Sequence, residues 1–190
     1  VTRPGMTGEV IQDARARMQK AVEATRREFA AVRTGRATPA LLEHVKVDYY
    51  GVPTPVTQLA TISVPEPRLL VVQPWDRSVV KAVERAILKS ELGLVPSSDG
   101  VVIRLPLPPL TEERRRELVR LVRRQAEEGR VAIRNVRREA KELIEQLEEE
   151  GEVSEDDARR ALEELQKLTD EFIGQLDRLL EAKEKEILEV

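Results

Sequence analysis

The sequence predicts an α+β protein of two domains, an elongated antiparallel three-helix bundle with a small α+β module inserted into it. Apolar residues recur every three or four positions over three long stretches of the 190-residue chain. Between the first and second stretches the pattern changes to short alternating runs punctuated by proline and glycine. Charged residues make up 35% of the chain and aromatic residues only 3%, which suits long solvated helices better than a large sandwich or barrel core.

From about Gly8 to Val32, the residues Ile11, Ala14, Met18, Val22, Thr25, Phe29 and Val32 fall on one helical face. They predict a helix of about six or seven turns, ending near Gly35 and before Pro39. Strands follow at Val45 to Tyr50, Leu69 to Gln73 and Val101 to Leu105, the last after an Asp99-Gly100 turn. Ser78 to Leu92 reads as an amphipathic helix through Val79, Val83, Ala86 and Ile87, capped by Ser78 and ended at Gly93. Tyr49, Tyr50 and Trp75 have faces that can stack on bases, but in so small a module they read first as core.

Pro106, Pro108 and Pro109 forbid helix before Thr111, which can cap the next one, and Glu112 and Glu113 suit its N-terminal dipole. Its buried stripe is Leu118, Val122, Ala126, Gly129, Ile133, Val136, Ala140, Leu143 and Leu147. A helix from Thr111 to Glu150 is roughly 60 Å long. Gly129 in its interior costs about 1 kcal/mol in propensity, and close helix packing is the reason preferred for it. Gly151 breaks the pattern, and Ser154 caps a third helix with acids at 155 to 157. Its stripe runs through Leu162, Leu165, Thr169, Phe172, Leu176 and Leu179 towards Ile187.

The bundle therefore comprises residues 1–35 and 111–190, and the module residues 36–110. Two chain crossings, at about 34–39 and 105–110, join them. Thr34, Gly35, Thr38, Pro39, Pro106, Pro108 and Pro109 are the expected hinge residues. Proline restricts local dihedrals, so the crossings read as a two-stranded elbow that turns about a few bonds.

Composition excludes several chemistries. Cysteine is absent and His44 is the only histidine, which removes disulfides, thiolate metal sites and almost all imidazole chemistry. There is no glycine-rich nucleotide motif, and the acid pairs lie at positions expected to face water. No cofactor, metal or catalytic residue is expected. No apolar run approaches membrane-spanning length, and the expectation is a cytoplasmic protein without a membrane partner.

Charge is unevenly distributed. The net is −3 overall, but residues 1–110 carry +4, 111–141 carry +5 and 142–190 carry −12. Arg116, Arg120, Arg123, Arg130, Arg134, Arg137 and Lys141 recur at helical spacing. Such a stripe on an acidic protein suggests a polyanionic partner. A solvated face balanced by acids of the third helix is the alternative. Arg134, Arg137 and Lys141 are mutual neighbours, where like charges cost a few tenths of a kcal/mol per pair. Phosphate oxygens offset such a cost, and arginine's planar fork suits them. Arg33 and Arg36 flank Gly35 and either extend this basic surface or simply cap a helix end.

Several segments resemble a known family. They are Arg33-Thr34-Gly35-Arg36-Ala37-Thr38-Pro39, Tyr49-Tyr50-Gly51, Ser90-Glu91-Leu92-Gly93-Leu94, Pro109-Leu110-Thr111-Glu112-Glu113-Arg114-Arg115, Arg134-Asn135-Val136-Arg137-Arg138 and Ser154-Glu155-Asp156-Asp157. In order and spacing they are similar to bacterial ribosome recycling factors over essentially the whole chain. Val1 to Gly5 stands as an extension before the usual start, and Thr38 replaces a frequent serine or asparagine.

The resemblance implies an L-shaped, monomeric protein that enters the ribosome after termination and lies across the transfer-RNA sites of the large subunit. Its partner would be elongation factor G, whose GTP hydrolysis drives subunit separation; GTP would be bound by that partner and not by this chain. It also implies ribosomal-RNA contacts through Arg33, Arg134 and Arg137. With Arg36, Arg123, Arg130, Arg138 and Lys141 these make up the expected RNA-binding set. A coiled-coil interaction protein is one rival reading, but three apolar stripes with a turn at Gly151 can close the seam within one chain. An RNA-processing enzyme is the second, for which the sequence offers no catalytic histidine and no evident metal cluster.

Overall fold

A computed structural model describes residues 5–189 of the chain, so residues 1–4 of the N-terminal extension lie outside the described residues. The described chain divides into two compact units, one of residues 5–32 and 113–189 and the other of 33–112.

The first unit holds three long helices, α1 (Met6–Ala31), α3 (Glu112–Glu149) and α4 (Glu155–Leu188). Ile11, Ala14, Met18, Val22, Thr25 and Phe29 of α1 are all buried. The helix ends at Val32 (ψ 113°), whose N–H donates to the Phe29 carbonyl, ahead of Gly35, where the sequence places its end. Val32 is itself buried, and its extended backbone turns the side chain inward in place of another helical turn.

On α3 the buried positions are Leu118, Val122, Ala126, Gly129, Ile133, Val136, Ala140 and Ile144. The stripe therefore ends differently from the sequence reading. Leu143 is exposed and Ile144 takes its place. From Leu118 to Ile144 the mean step is about 3.7 residues, close to the true helical repeat; the strict heptad step drifts off the core over this length. On α4, Ala161 and Leu168 are buried while Leu162 and Leu179 are only half-buried.

A tight turn joins α3 to α4. Gly151 (φ +74°) lets its own N–H reach the Glu148 carbonyl at 3.0 Å and the Glu152 N–H reach Leu147 at 2.9 Å, which closes the helix end in a Schellman pattern. Ser154 then caps α4, its Oγ accepting from the Asp157 N–H at 3.1 Å. The antiparallel register follows from the bonds between the helices: Arg123 meets Glu184, Arg130 meets Asp177 and Arg137 meets Gln166.

The second unit has two sheets and a helix. The hairpin β1 (Lys46–Tyr49) and β2 (Val52–Pro55) forms one sheet. The other contains β3 (Ala60–Glu66), β4 (Leu69–Pro74), β5 (Ser97–Ser98) and β6 (Ile103–Pro106), all antiparallel in the order β3-β4-β6-β5. Leu70 and Val72 of β4, Ile103 and Leu105 of β6, and Val83 and Ile87 of α2 (Val80–Lys89) are fully buried in one core.

The sequence reading omits β2, β3 and β5. Prolines 53, 55 and 65 obscure the first two, but both are edge strands, where the missing N–H costs no ladder bond. The cap of α2 is also corrected. Asp76, not Ser78, supplies it: the Asp76 carboxylate accepts from the Ser78 N–H at 2.9 Å and starts the 3-10 turn Arg77–Val79 that leads into α2. Tyr50 and Trp75 are surface residues and not core, because each follows a strand end and has its polar tip bonded at the surface.

Candidate nucleic-acid interface

The cations of α3 differ sharply in what they touch. Arg123 donates from Nε to Glu184 Oε1 at 2.6 Å, and this hydrogen bond raises its already high pKa. Arg130 sends Nε and Nη2 to Asp177 Oδ1 at 2.9 and 2.7 Å and Nη1 to Glu127 Oε2 at 3.2 Å. Partial burial works against its charge, but the bonds to Asp177 and Glu127 outweigh it and the net shift is upward. For these two the balanced-charge alternative describes the geometry.

Further along α3 the partners thin out. Among the described residues Arg134 retains only a 3.3 Å contact to Glu127, and Lys141 lies 3.9 Å from Glu145. Arg137 donates to Gln166 Oε1 at 3.3 Å, a neutral partner that leaves its charge uncompensated. Arg138 is exposed and makes no ion pair or hydrogen bond among the described residues.

These four cations line one open groove of about 570 Å³. Asn135 joins them from α3, and Leu162, Leu165 and Gln166 form the wall contributed by α4. No aromatic side chain lines it. Planar guanidinium donors without a stacking surface suit a phosphate backbone better than a base.

A second groove of about 440 Å³ shares Leu162 and Gln166 with the first. Glu148, Glu155 and Glu163 line it, against the single cation Arg159. Its acidity disfavours an anion there, in contrast to the first groove.

The crossing segments belong to the second unit. Arg33 and Arg36 are exposed there, and Arg33 has no bonded partner among the described residues. Gly35 adopts φ +80°, and a Cβ on it would lie 3.2 Å from Leu110 Cγ, so the two crossings pack against each other. Ala37 and Leu107 donate to the carbonyls of Pro67 and Arg68 in the β3–β4 turn, each at 2.7 Å. Thr38 and Pro39 start the 3-10 turn Pro39–Leu42, and Pro106 is paired with Leu69 in the sheet. Pro108 and Pro109 are exposed beyond these bonds.

Asn135 and Gln166 are groove residues that the sequence reading does not single out. Gln166 can be found only from the α3–α4 register, since it stands opposite Arg137 across 29 residues of chain. Among the described residues no group of three or more histidine, cysteine, aspartate or glutamate side chains could hold a metal ion. None of the helices there is long and apolar enough to cross a membrane.

Fold and groove together define a two-unit α+β protein whose helical bundle carries a cation-lined channel suited to phosphate. The family model for ribosome recycling factor matches residues 25–188. The ribosome-recycling factors of Carboxydothermus hydrogenoformans and Symbiobacterium thermophilum are 58% and 60% identical over 185 residues, covering 97% of this chain and all of theirs. A solution structure of a ribosome recycling factor is similar over the whole of both chains, with 53% identity and a TM-score of 0.69. A second structure presents the T. thermophilus ribosome recycling factor and the E. coli elongation factor G bound to the E. coli post-termination complex. It has 53% identity and a TM-score of 0.60, covering 96% of this chain and 98% of that one. The chain belongs to the ribosome recycling factor family.

Proposed function

We propose that this protein recycles ribosomes. After termination it binds the large subunit and, with elongation factor G and GTP, separates the complex into subunits that can be used again. The GTP is bound and hydrolysed by elongation factor G, and this chain is a translation factor of the cytoplasm that performs no catalysis itself. Family membership supports this, as does the related factor described with elongation factor G on a post-termination complex.

The observation that carries the reading is the groove in which Arg134, Arg137, Arg138 and Lys141 converge without a full set of acid partners. These four hold ribosomal-RNA phosphates, and Arg33 and Arg36 add to the contact. Arg123 and Arg130 contribute less, because Glu184 and Asp177 already occupy their donors. Binding of this kind releases counterions and weakens with salt.

The bundle acts as a rigid anchor and the small unit as a lever. Rotation is confined to residues 33–36 and 108–111, because Ala37 and Leu107 are tied to the β3–β4 turn. The test is light scattering of post-termination ribosomes mixed with the purified protein, with and without elongation factor G and GTP. A fall in scattering that requires all three components is expected. No fall with all three present rejects the function.

A further inference from the structure

The small unit carries a surface that the phosphate groove does not explain. Tyr50 and Trp75 are 75% and 67% exposed, yet neither ring is loose. The Tyr50 hydroxyl donates to Asp76 Oδ2 at 3.3 Å and lies 3.2 Å from Ser78 Oγ. The Trp75 Nε1–H donates to Thr61 Oγ1 at 2.8 Å. Tyr49 supports Tyr50 with an edge contact, ring centroids 4.7 Å apart. Two aromatic faces are thus fixed in water by their polar tips, and little rotamer freedom remains to be lost when something covers them.

Tyr50 also sits where the backbone does not favour it. Tyr50 and Gly51 (φ +50° and +84°) form the two-residue turn between β1 and β2. Such turns favour asparagine or glycine at the first position, and a bulky residue there is strained. Strain retained at an exposed aromatic points to use of the side chain.

Asp76 decides what kind of partner fits. Its carboxylate is bonded by Tyr50 and follows Trp75 directly in the chain. The Ser78 hydroxyl and N–H, both bonded to Oδ1, keep its pKa below the usual carboxylate range. No cation pairs with it among the described residues, and its neighbour Arg77 makes no bond to it. An ionised carboxylate bonded to the Tyr50 hydroxyl, one residue along the chain from the exposed Trp75, repels phosphate and attracts a guanidinium or ammonium group, which aromatic faces also bind.

We propose that Tyr50, Trp75 and Asp76 form a docking surface for an arginine- or lysine-bearing segment of a protein partner. This rests on the recycling reading only for where that partner is met. The test places a benzophenone amino acid at Trp75 and, in a separate protein, at Arg138, and photolyses each on post-termination ribosomes with elongation factor G and GTP. The Trp75 site is expected to yield adducts removed by protease and untouched by ribonuclease, while the Arg138 site yields RNA adducts. RNA adducts at Trp75, or none there while Arg138 reacts, overturn the docking surface and leave the recycling reading standing. Silence at both sites together with absent splitting overturns the recycling reading and the docking surface with it.

Two variants add a rate. Asp76→Asn keeps an acceptor for the Ser78 N–H, and Trp75→Ala alters an exposed side chain. Each is expected to slow splitting at limiting factor about 5-fold, with large-subunit affinity retained. Unchanged rates in both refute the docking surface.

Discussion

Gly129→Ala places one methyl group where three helices meet. The added Cβ would lie 2.5 Å from Thr25 Oγ1 of α1 and 2.6 Å from Leu176 Cδ1 of α4. Helix propensity favours the substitution by about 1 kcal/mol. Against it, neither neighbour has room to retreat: Thr25 is β-branched, buried and bonded through Oγ1 to the Ala21 carbonyl at 3.2 Å, and Leu176 is fully buried. Overpacking a core costs about 1–3 kcal/mol. With two contacts below 3 Å the upper part of that range applies, leaving a net loss of about 1–2 kcal/mol and a Tm lower by about 3–8 °C. Calorimetry of the full chain measures it.

Gly174→Ala is the internal control. It gains the same propensity but meets only Arg178 Nη1 at 3.5 Å, so it is expected to stabilise by up to about 1 kcal/mol. Adding Thr25→Ala to Gly129→Ala removes the closer clash and recovers part of the loss. A Tm for Gly129→Ala at or above wild type would refute the reasoning, as would equal losses at both glycines. The outcome bears on function because α3 carries both Gly129 and the groove arginines, so pushing α3 outward also moves Arg137 against Gln166.

Other perturbations separate the roles of individual residues. Arg138→Ala is expected to reduce the slope of log affinity for large subunits against log salt by about 0.7–0.9 without changing Tm, and an unchanged slope removes Arg138 from the phosphate contacts. Arg130→Ala is expected to leave most of the slope and lower stability by up to about 1 kcal/mol, because Asp177 loses its cation while Glu127 keeps only Arg134; a slope change equal to that of Arg138→Ala refutes this division. Gly35→Ala forces a side chain to φ +80° and against Leu110, at about 1–2 kcal/mol, and faster hydrogen exchange in the small unit reports it; unchanged exchange argues against the packed crossing. The Asp99 carboxylate accepts the N–H groups of Val102 and Val101 and lies near Arg104, which together depress its pKa. A depressed folded-state pKa means the stabilisation is complete above the unfolded value and lost as pH falls through the folded one. The Tm difference between wild type and Asp99→Ala is therefore expected to shrink below about pH 4, and a constant difference contradicts the assignment.

Much of the fold was legible because its signals are local. The three helical stripes, the Gly151 turn and the Ser154 cap each depend on residues within a few positions of one another. Edge strands β2 and β3 were hidden for the opposite reason, since whether Pro53 or Pro65 is tolerated depends on which side of the strand is paired. The exchange of Leu143 for Ile144 is a small error of period that becomes visible only over seven helical steps. Tyr50 and Trp75 were misplaced by a rule of composition, because hydrophobicity cannot say whether a polar tip is held at the surface.

The sequence by itself determined that α3 is a long amphipathic helix rich in arginine, that cations recur along it at helical spacing from Arg116 to Lys141, and that an acidic helix follows. Only the tertiary structure decided which of those arginines are occupied. Arg123 and Arg130 find acids 61 and 47 residues away, whereas Arg137 finds an amide 29 residues away and Arg138 finds nothing among the described residues. The physical reason is that a cation's exposure to solvent is set by its own helix, but its neutralisation is set by the register of a neighbouring helix. That register is fixed by apolar packing around Gly129, Thr25 and Leu176, which carries no information about charge.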